Sequence, residues 1–312
     1  MAAKKRGKKA SPKDVTVYDL SNSTSSFAKR EEDFLNIHID ETDEFDKIIN
    51  HDVKADDRIT YSEDDINQEL RDLLLEGFDR DEVRMFKPRQ HKHLSKAAQT
   101  FLYKLSIVVN NNYVQVEPTH MEDYIHDLMD NVLRGAKFED GTELILMPCL
   151  LGLFIGEEYF AAYADREGRR GTEIIWVIDE DKHPAAKALG FSAKASGKFD
   201  RRWRKGDIQL VSNMIAAAQT NKALLGKLYP DRMLGIKFDA DRLYFFSAYI
   251  TDEYLNELAN MHETKCSVPL HINKFPKSRE LSLSQHKDRK EIFLCLSALR
   301  KYAMGLEVIY VD

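Results

Sequence analysis

The sequence predicts an α+β protein: a disordered basic-then-acidic N-terminal arm, a helical region, then a mixed or antiparallel sheet with packed helices. Three observations predict it. Apolar residues recur at helical spacing over 94–109, 121–133 and 208–225. Compact runs rich in β-branched and aromatic residues, bounded by Gly, Asp and Pro, stand at 144–155, 172–178 and 233–250. The first 58 residues segregate their charge and carry only scattered apolar side chains. The predicted boundaries are 1–58 for the arm, 59–140 for the helical region and 141–312 for the α+β domain.

A chain of 312 residues has room for a sizeable core. It is 43% hydrophobic and 31% charged, the balance of a soluble globular protein with slightly high charge. The net charge of −6 means that any contact with nucleic acid has to come from local basic patches. Cys149, Cys266 and Cys295 are far apart and odd in number, each in an apolar context, which predicts buried thiols in a reducing intracellular compartment, cytoplasmic or nuclear. The start, Met1 to Arg6, lacks the apolar stretch of a secretory signal. The longest apolar run, Leu144 to Ile155, is interrupted by Pro148 and is too short to span a bilayer, so no membrane association is expected.

Taken in order, residues 1–13 form a basic tail with Lys4, Lys5, Arg6, Lys8, Lys9 and Lys13, suited to phosphate contact or to solubility. Residues 31–69 are strongly acidic. Phe27, Phe34, Leu35, Phe45, Ile48 and Ile49 would let the arm dock on a protein partner, on another copy, or on its own body, and the acids would let it cover a basic surface. Ser62 with Asp65 reads as the start of a helix running to Gly77. A helix over 94–109 ends at Asn110-Asn111-Asn112, and Thr119 with Glu122 caps the next one. Tyr159–Ala164 and Thr172–Ile178 read as a hairpin whose charged tip is 165–171. Pro184 opens a short helix, a basic loop follows, and Asp207 caps a long amphipathic helix. Residues 233–250 read as a second hairpin, with Thr251 capping a helix behind it. Strands at 268–272 and 280–283, a helix over 288–304 and a strand over 306–311 complete the chain.

Chemistry concentrates on both sides of that long helix's start. Lys194, Lys198, Arg201, Arg202, Arg204 and Lys205 lie within a dozen residues, with Phe199 and Trp203 among them. Cations for phosphates and flat rings for bases are what single-stranded nucleic acid requires. The leading expectation is a non-enzymatic, largely sequence-independent nucleic-acid-binding protein without a cofactor. Gly197-Lys198 imitates a phosphate loop, but the preceding glycine is misplaced and Phe199 stands where a magnesium-binding hydroxyl belongs.

Two alternatives come from other classes. Metal-dependent nucleases often set an acid on one strand and Glu-x-Lys at the end of the next. Asp165, Glu180 and Lys182 have that order, and such a site would take magnesium. With Asp165 at a hairpin tip, however, strand length separates it from Glu180. The third expectation is a structural or assembly protein that clasps a neighbour with residues 1–58. His91, His93, His262 and Cys266 lack partners at metal-ligand spacing.

Overall fold

The computed structural model describes residues 15–51, 53–54, 57–113, 121–141, 143–180, 200–261 and 265–308, with the backbone alone at 112–113, 121–122, Glu180 and 200–205. The fold is α+β. Its strands are β1 (Ile37–Glu41), β2 (Leu144–Ile155), β3 (Glu158–Arg170), β4 (Glu173–Glu180), β5 (Arg232–Asp239), β6 (Arg242–Tyr249), β7 (Leu270–Phe275) and β8 (Leu281–Ser282). The helices are α1 (Lys29–Phe34), α2 (Asp46–Ile49), α3 (Gln68–Asp72), α4 (Arg80–Arg84), α5 (Lys96–Tyr113), α6 (Met121–Gly135), α7 (Asp200–Leu225), α8 (Asp252–Asn260) and α9 (His286–Gly305).

One sheet runs in the order β1-β7-β6-β5-β4-β3-β2, with β8 on β6. It is mixed: β1/β7 and β4/β5 are parallel and the other neighbours antiparallel. A parallel neighbour needs a crossover rather than a tight turn, and α7 lies within the one between β4 and β5. Helices cover both faces. Leu105, Met129, Leu133 and Leu296 share a core with Trp176, Ile178, Ile236 and Phe245. On the other face Val211, Met214, Ile215 and Ala218 of α7 pack with Val177, Phe246, Ala248 and Ile272. Polar side chains of α7 fasten it to strand backbone: Asn221 accepts from the Ile174 amide at 2.9 Å and donates to the Ile174 carbonyl at 2.7 Å. No helix among the described residues is long and apolar enough to cross a membrane.

Three expectations change. The first concerns the N-terminal stretch. Residues 15–51 build helical turns and strand β1, and Phe27, Phe34, Leu35, Ile37, Phe45, Ile48 and Ile49 are all buried in the two cores. The acids that suggested a solvated arm have specific partners. Glu31 accepts from the Ala28 amide and from Arg30, Glu41 reaches Lys274, and Asp43 accepts from the amides of Lys277 and Ser278. Arg232, itself buried, donates to the carbonyls of Ile49 and His51. The basic residues 1–13 lie outside the described residues.

The second change is in the hairpin. The turn falls at Gly171, where φ is +64°, and β3 runs on to Arg170. Arg166 is opposite Ile178, so Asp165 is inside a strand and level with the end of β4 rather than at a tip. The long β3 also has a bulge beside Pro148 of β2, where a residue without an N–H is tolerated.

The third change is the start of the long helix. It begins at Asp200, so Arg201 to Lys205 are helical and Asp207 is seven residues inside rather than a cap. Smaller differences follow known chemistry. The helix predicted from Ser62 divides into a 3-10 turn at Glu63–Asp65 and α3, whose N-cap Asn67 accepts from the Leu70 amide. α5 runs through Asn110–Asn112 to Tyr113, and Leu306–Val308 are not in a strand. The predicted helix at Pro184 and the Thr119 cap lie outside the described residues.

Candidate nucleic-acid interface

Strands β1, β4, β5 and β7 all end at one edge of the sheet, because β1/β7 and β4/β5 are parallel pairs and β6 runs antiparallel to both β5 and β7. Clefts beyond the carboxyl ends of parallel strands are where open α/β sheets gather ligands. The start of α7 lies over this edge, because Asp207 meets Lys237 near the end of β5 and Lys274 near the end of β7.

These contacts form a buried ionic network. The Lys237 ammonium donates to one Asp207 oxygen at 3.0 Å, and Lys274 donates to the other at 2.7 Å. The Asp207 and Lys237 side chains retain only 3% and 2% of their exposure. Lys274 also reaches Glu41 at 3.4 Å and stands 5.3 Å from the centre of the Tyr244 ring. Burial alone would push the Asp207 carboxyl up, but the ammonium groups of Lys237 and Lys274 outweigh it, so the carboxyl titrates below its ordinary range. Tyr244 is pushed up by burial and then by the nearby carboxylates of Asp239 and Glu280. Asp179, also buried, is the register partner of Lys237 on β4, and Asp239 lies 3.7 Å from Arg242. With both oxygens engaged, Asp207 ties α7 to two strands at the end where its cationic turns begin.

The residues expected to bind are distributed as follows. Arg201, Arg202, Trp203, Arg204 and Lys205 occupy the opening turns of α7; Lys194, Lys198 and Phe199 lie outside the described residues. The fold does not gather the other cations into one patch. Arg169 pairs with Glu167 at 2.5 Å, and Arg170 donates to the carbonyls of Ala303, Met304 and Leu306. Arg279 pairs with Glu291. Arg89 and Lys92 remain exposed on a separate segment.

Of the nuclease candidates, Asp165 is level with the end of β4, Glu180 is its last residue, and Lys182 lies outside the described residues. Among the described residues no group of three or more His, Cys, Asp or Glu is arranged to hold a metal ion. Asp241 accepts from the hydroxyls of Ser282 and Ser284 at 2.5 and 2.7 Å, an ordinary buried turn. His91 packs between the rings of Phe78 and Phe86, with centroids 5.2 Å from each. The three cysteines are buried and unbridged.

The sequence marks Asp207 only as a helix cap, and Lys237 and Asp179 are not singled out as members of an ionic network. A signal was present: Lys237 interrupts the apolar run Met233 to Phe238, and a lysine inside such a strand needs a buried partner. No protein-family model matches this chain, and no curated protein matches it in sequence.

Proposed function

We propose that this protein binds nucleic acid without catalysis, through phosphate charge and base stacking and with little sequence preference. The observation that supports the reading is the helical start of α7 at Asp200. Four cations, Arg201, Arg202, Arg204 and Lys205, then fall within about 6 Å of helix rise. They belong to a helix held to the sheet by Asp207. Cations carried on a helix meet a phosphate chain with less loss of backbone entropy than cations on a loop. The stacking part of the proposal rests on the sequence alone, which sets Phe199 and Trp203 among the cations.

The test is fluorescence anisotropy of labelled single-stranded DNA and RNA over a salt series. Binding should weaken steeply as salt rises, and Arg201→Glu with Arg204→Glu should abolish it while the circular dichroism spectrum stays unchanged. Absence of binding to either strand at low salt would overturn the reading.

A second reading, metal-dependent phosphodiester cleavage, is favoured by one observation: the Arg166–Ile178 register brings Asp165 level with the strand end that carries Glu180. Asp165 and Glu180 would hold magnesium, and Lys182 would assist the attacking water. It predicts divalent-ion-dependent cleavage that Glu180→Ala removes while binding persists. The arm-clasping alternative finds less support in residues 15–51, where Phe27, Phe34, Leu35, Ile37, Phe45, Ile48 and Ile49 are taken up by the chain's own cores.

A further inference from the structure

Between Val83 and Val116 the sequence carries six cations, Arg84, Lys87, Arg89, Lys92, Lys96 and Lys104, and no acid, although one residue in six of the whole chain is Asp or Glu. Two of the six are answered from outside the stretch: Arg84 lies 4.0 Å from Asp81 and Lys104 lies 3.6 Å from Asp127. Lys87, Arg89, Lys92 and Lys96 are exposed, and none of them meets a carboxylate among the described residues. In a chain of net charge −6, a cluster left without counter-charges holds a local potential opposite to that of the molecule as a whole.

Local structure decides which side chains face water. The amides of Gln90, His91 and Leu94 donate to the carbonyls of Lys87, Pro88 and His91, so the segment folds into successive tight turns that Pro88 opens. Its apolar and aromatic side chains turn inward. His91 packs between the rings of Phe78 and Phe86, and Leu94 lies against the core beneath α5. Lys87, Arg89 and Lys92 are left on the outer side. Ser95 then caps α5, accepting from the Ala98 amide at 3.1 Å. The first turn of α5 holds Lys96 and no acid, although a cation there opposes the helix dipole, so helix stability does not account for it. Seven residues on, Tyr103 shares the helix side of Lys96 and is 51% exposed. The buried side of α5 belongs to the core with Trp176 and Ile236, on the sheet face opposite the one that α7 covers.

We propose, resting on the nucleic-acid reading, that Lys87, Arg89, Lys92 and Lys96 form a second phosphate-binding surface, separate from α7, which holds a single strand and offers Tyr103 to one of its bases. Charge complementarity calls for a polyanion, and the form of the surface selects among polyanions. The cations are spread along the chain from Lys87 to Lys96, which suits a string of phosphates, and an exposed ring continues beyond them. Cations that track a backbone, with a flat ring for a base, are the combination that single strands take. An acidic peptide would meet the same charges and leave the ring without a base to stack.

Fluorescence anisotropy of a labelled oligothymidylate over a salt series, with the full chain, tests it. Arg89→Gln with Lys92→Gln should make the slope of log affinity against log salt shallower by about 1.4, about 0.7 for each phosphate contact removed. Tyr103→Ala should weaken binding by about 5-fold or more at every salt concentration and leave the slope as in wild type, because stacking releases no counterions. None of the three side chains is buried, so the urea midpoint of each variant should equal that of wild type. Unlabelled polyglutamate at equal charge should compete less well than unlabelled strand. Variants that bind with wild-type affinity and slope, while Arg201→Glu with Arg204→Glu abolishes binding, would overturn this proposal and leave the α7 reading standing. Polyglutamate that competes as well as the strand would overturn it in favour of an acidic protein. A wild-type chain that binds no strand at low salt would remove both.

Discussion

The Lys237 ammonium and the Asp207 carboxylate stand 3.0 Å apart, with almost no solvent reaching either, although one belongs to strand β5 and the other to helix α7. Removing the carboxylate would leave the Lys237 and Lys274 ammonium groups close together without the negative charge that bridges them. Asp207→Ala should therefore lower stability by about 3–5 kcal/mol, read from the midpoint of urea unfolding. A midpoint equal to wild type would mean that water replaces the carboxylate at no cost.

The same group gives the stability a pH dependence. The folded-state pKa of Asp207 lies below its ordinary value of 3.8 because two ammonium groups overcome the effect of burial. Its contribution is therefore complete above the unfolded value and is lost as pH falls through the lower folded one. Acid unfolding of wild type below pH 3.8 should show this loss, and Asp207→Asn should flatten that part of the profile. Equal slopes for the two proteins would assign the acid sensitivity to other carboxylates.

Phe27 is fully buried, edge-on to Phe160 at 5.8 Å. Phe27→Ala should cost about 3–5 kcal/mol. Were residues 15–51 an appendage, the substitution would leave the unfolding midpoint unchanged.

Gly156 turns the β2–β3 hairpin with φ at +60°, and a Cβ there would stand 2.0 Å from the Met261 carbonyl oxygen. Gly156→Ala combines backbone strain with a collision against main chain that cannot rotate away. A loss of roughly 2–3 kcal/mol is expected, with the thermal midpoint as the readout.

Much of the architecture could be read from local pattern. Thr251 caps α8 as expected, accepting from the Tyr254 amide at 3.1 Å, and the hairpin at 233–250 appears as β5 and β6. What escaped depends on partners distant in sequence. A lone aspartate ahead of an apolar helix looks like a cap, and only lysines 30 and 67 residues away reveal Asp207 as part of an ionic network. Acidic residues between aromatics look solvated until β7 and its flanking amides supply their partners, as with Glu41 and Asp43. The apolar pattern of β2 does not reveal which side chains lie outside, and Leu150 and Phe154 are exposed. The cations of α7 were visible as a cluster; their helical state was not, because Gly206-Asp207 resembles a boundary.

Strand β1 pairs with β7 across a chain separation of 233 residues. On a ribosome adding about 5–20 residues per second, the early strand waits on the order of 10–50 s for its neighbour to be made. Throughout that interval Phe34, Leu35 and Ile37 lack the part of their shelter that Leu270 and Ile272 later supply. Shortening the protein from its C-terminal end beyond β7 would therefore strand its beginning, and the cell would register that as degradation of the whole polypeptide.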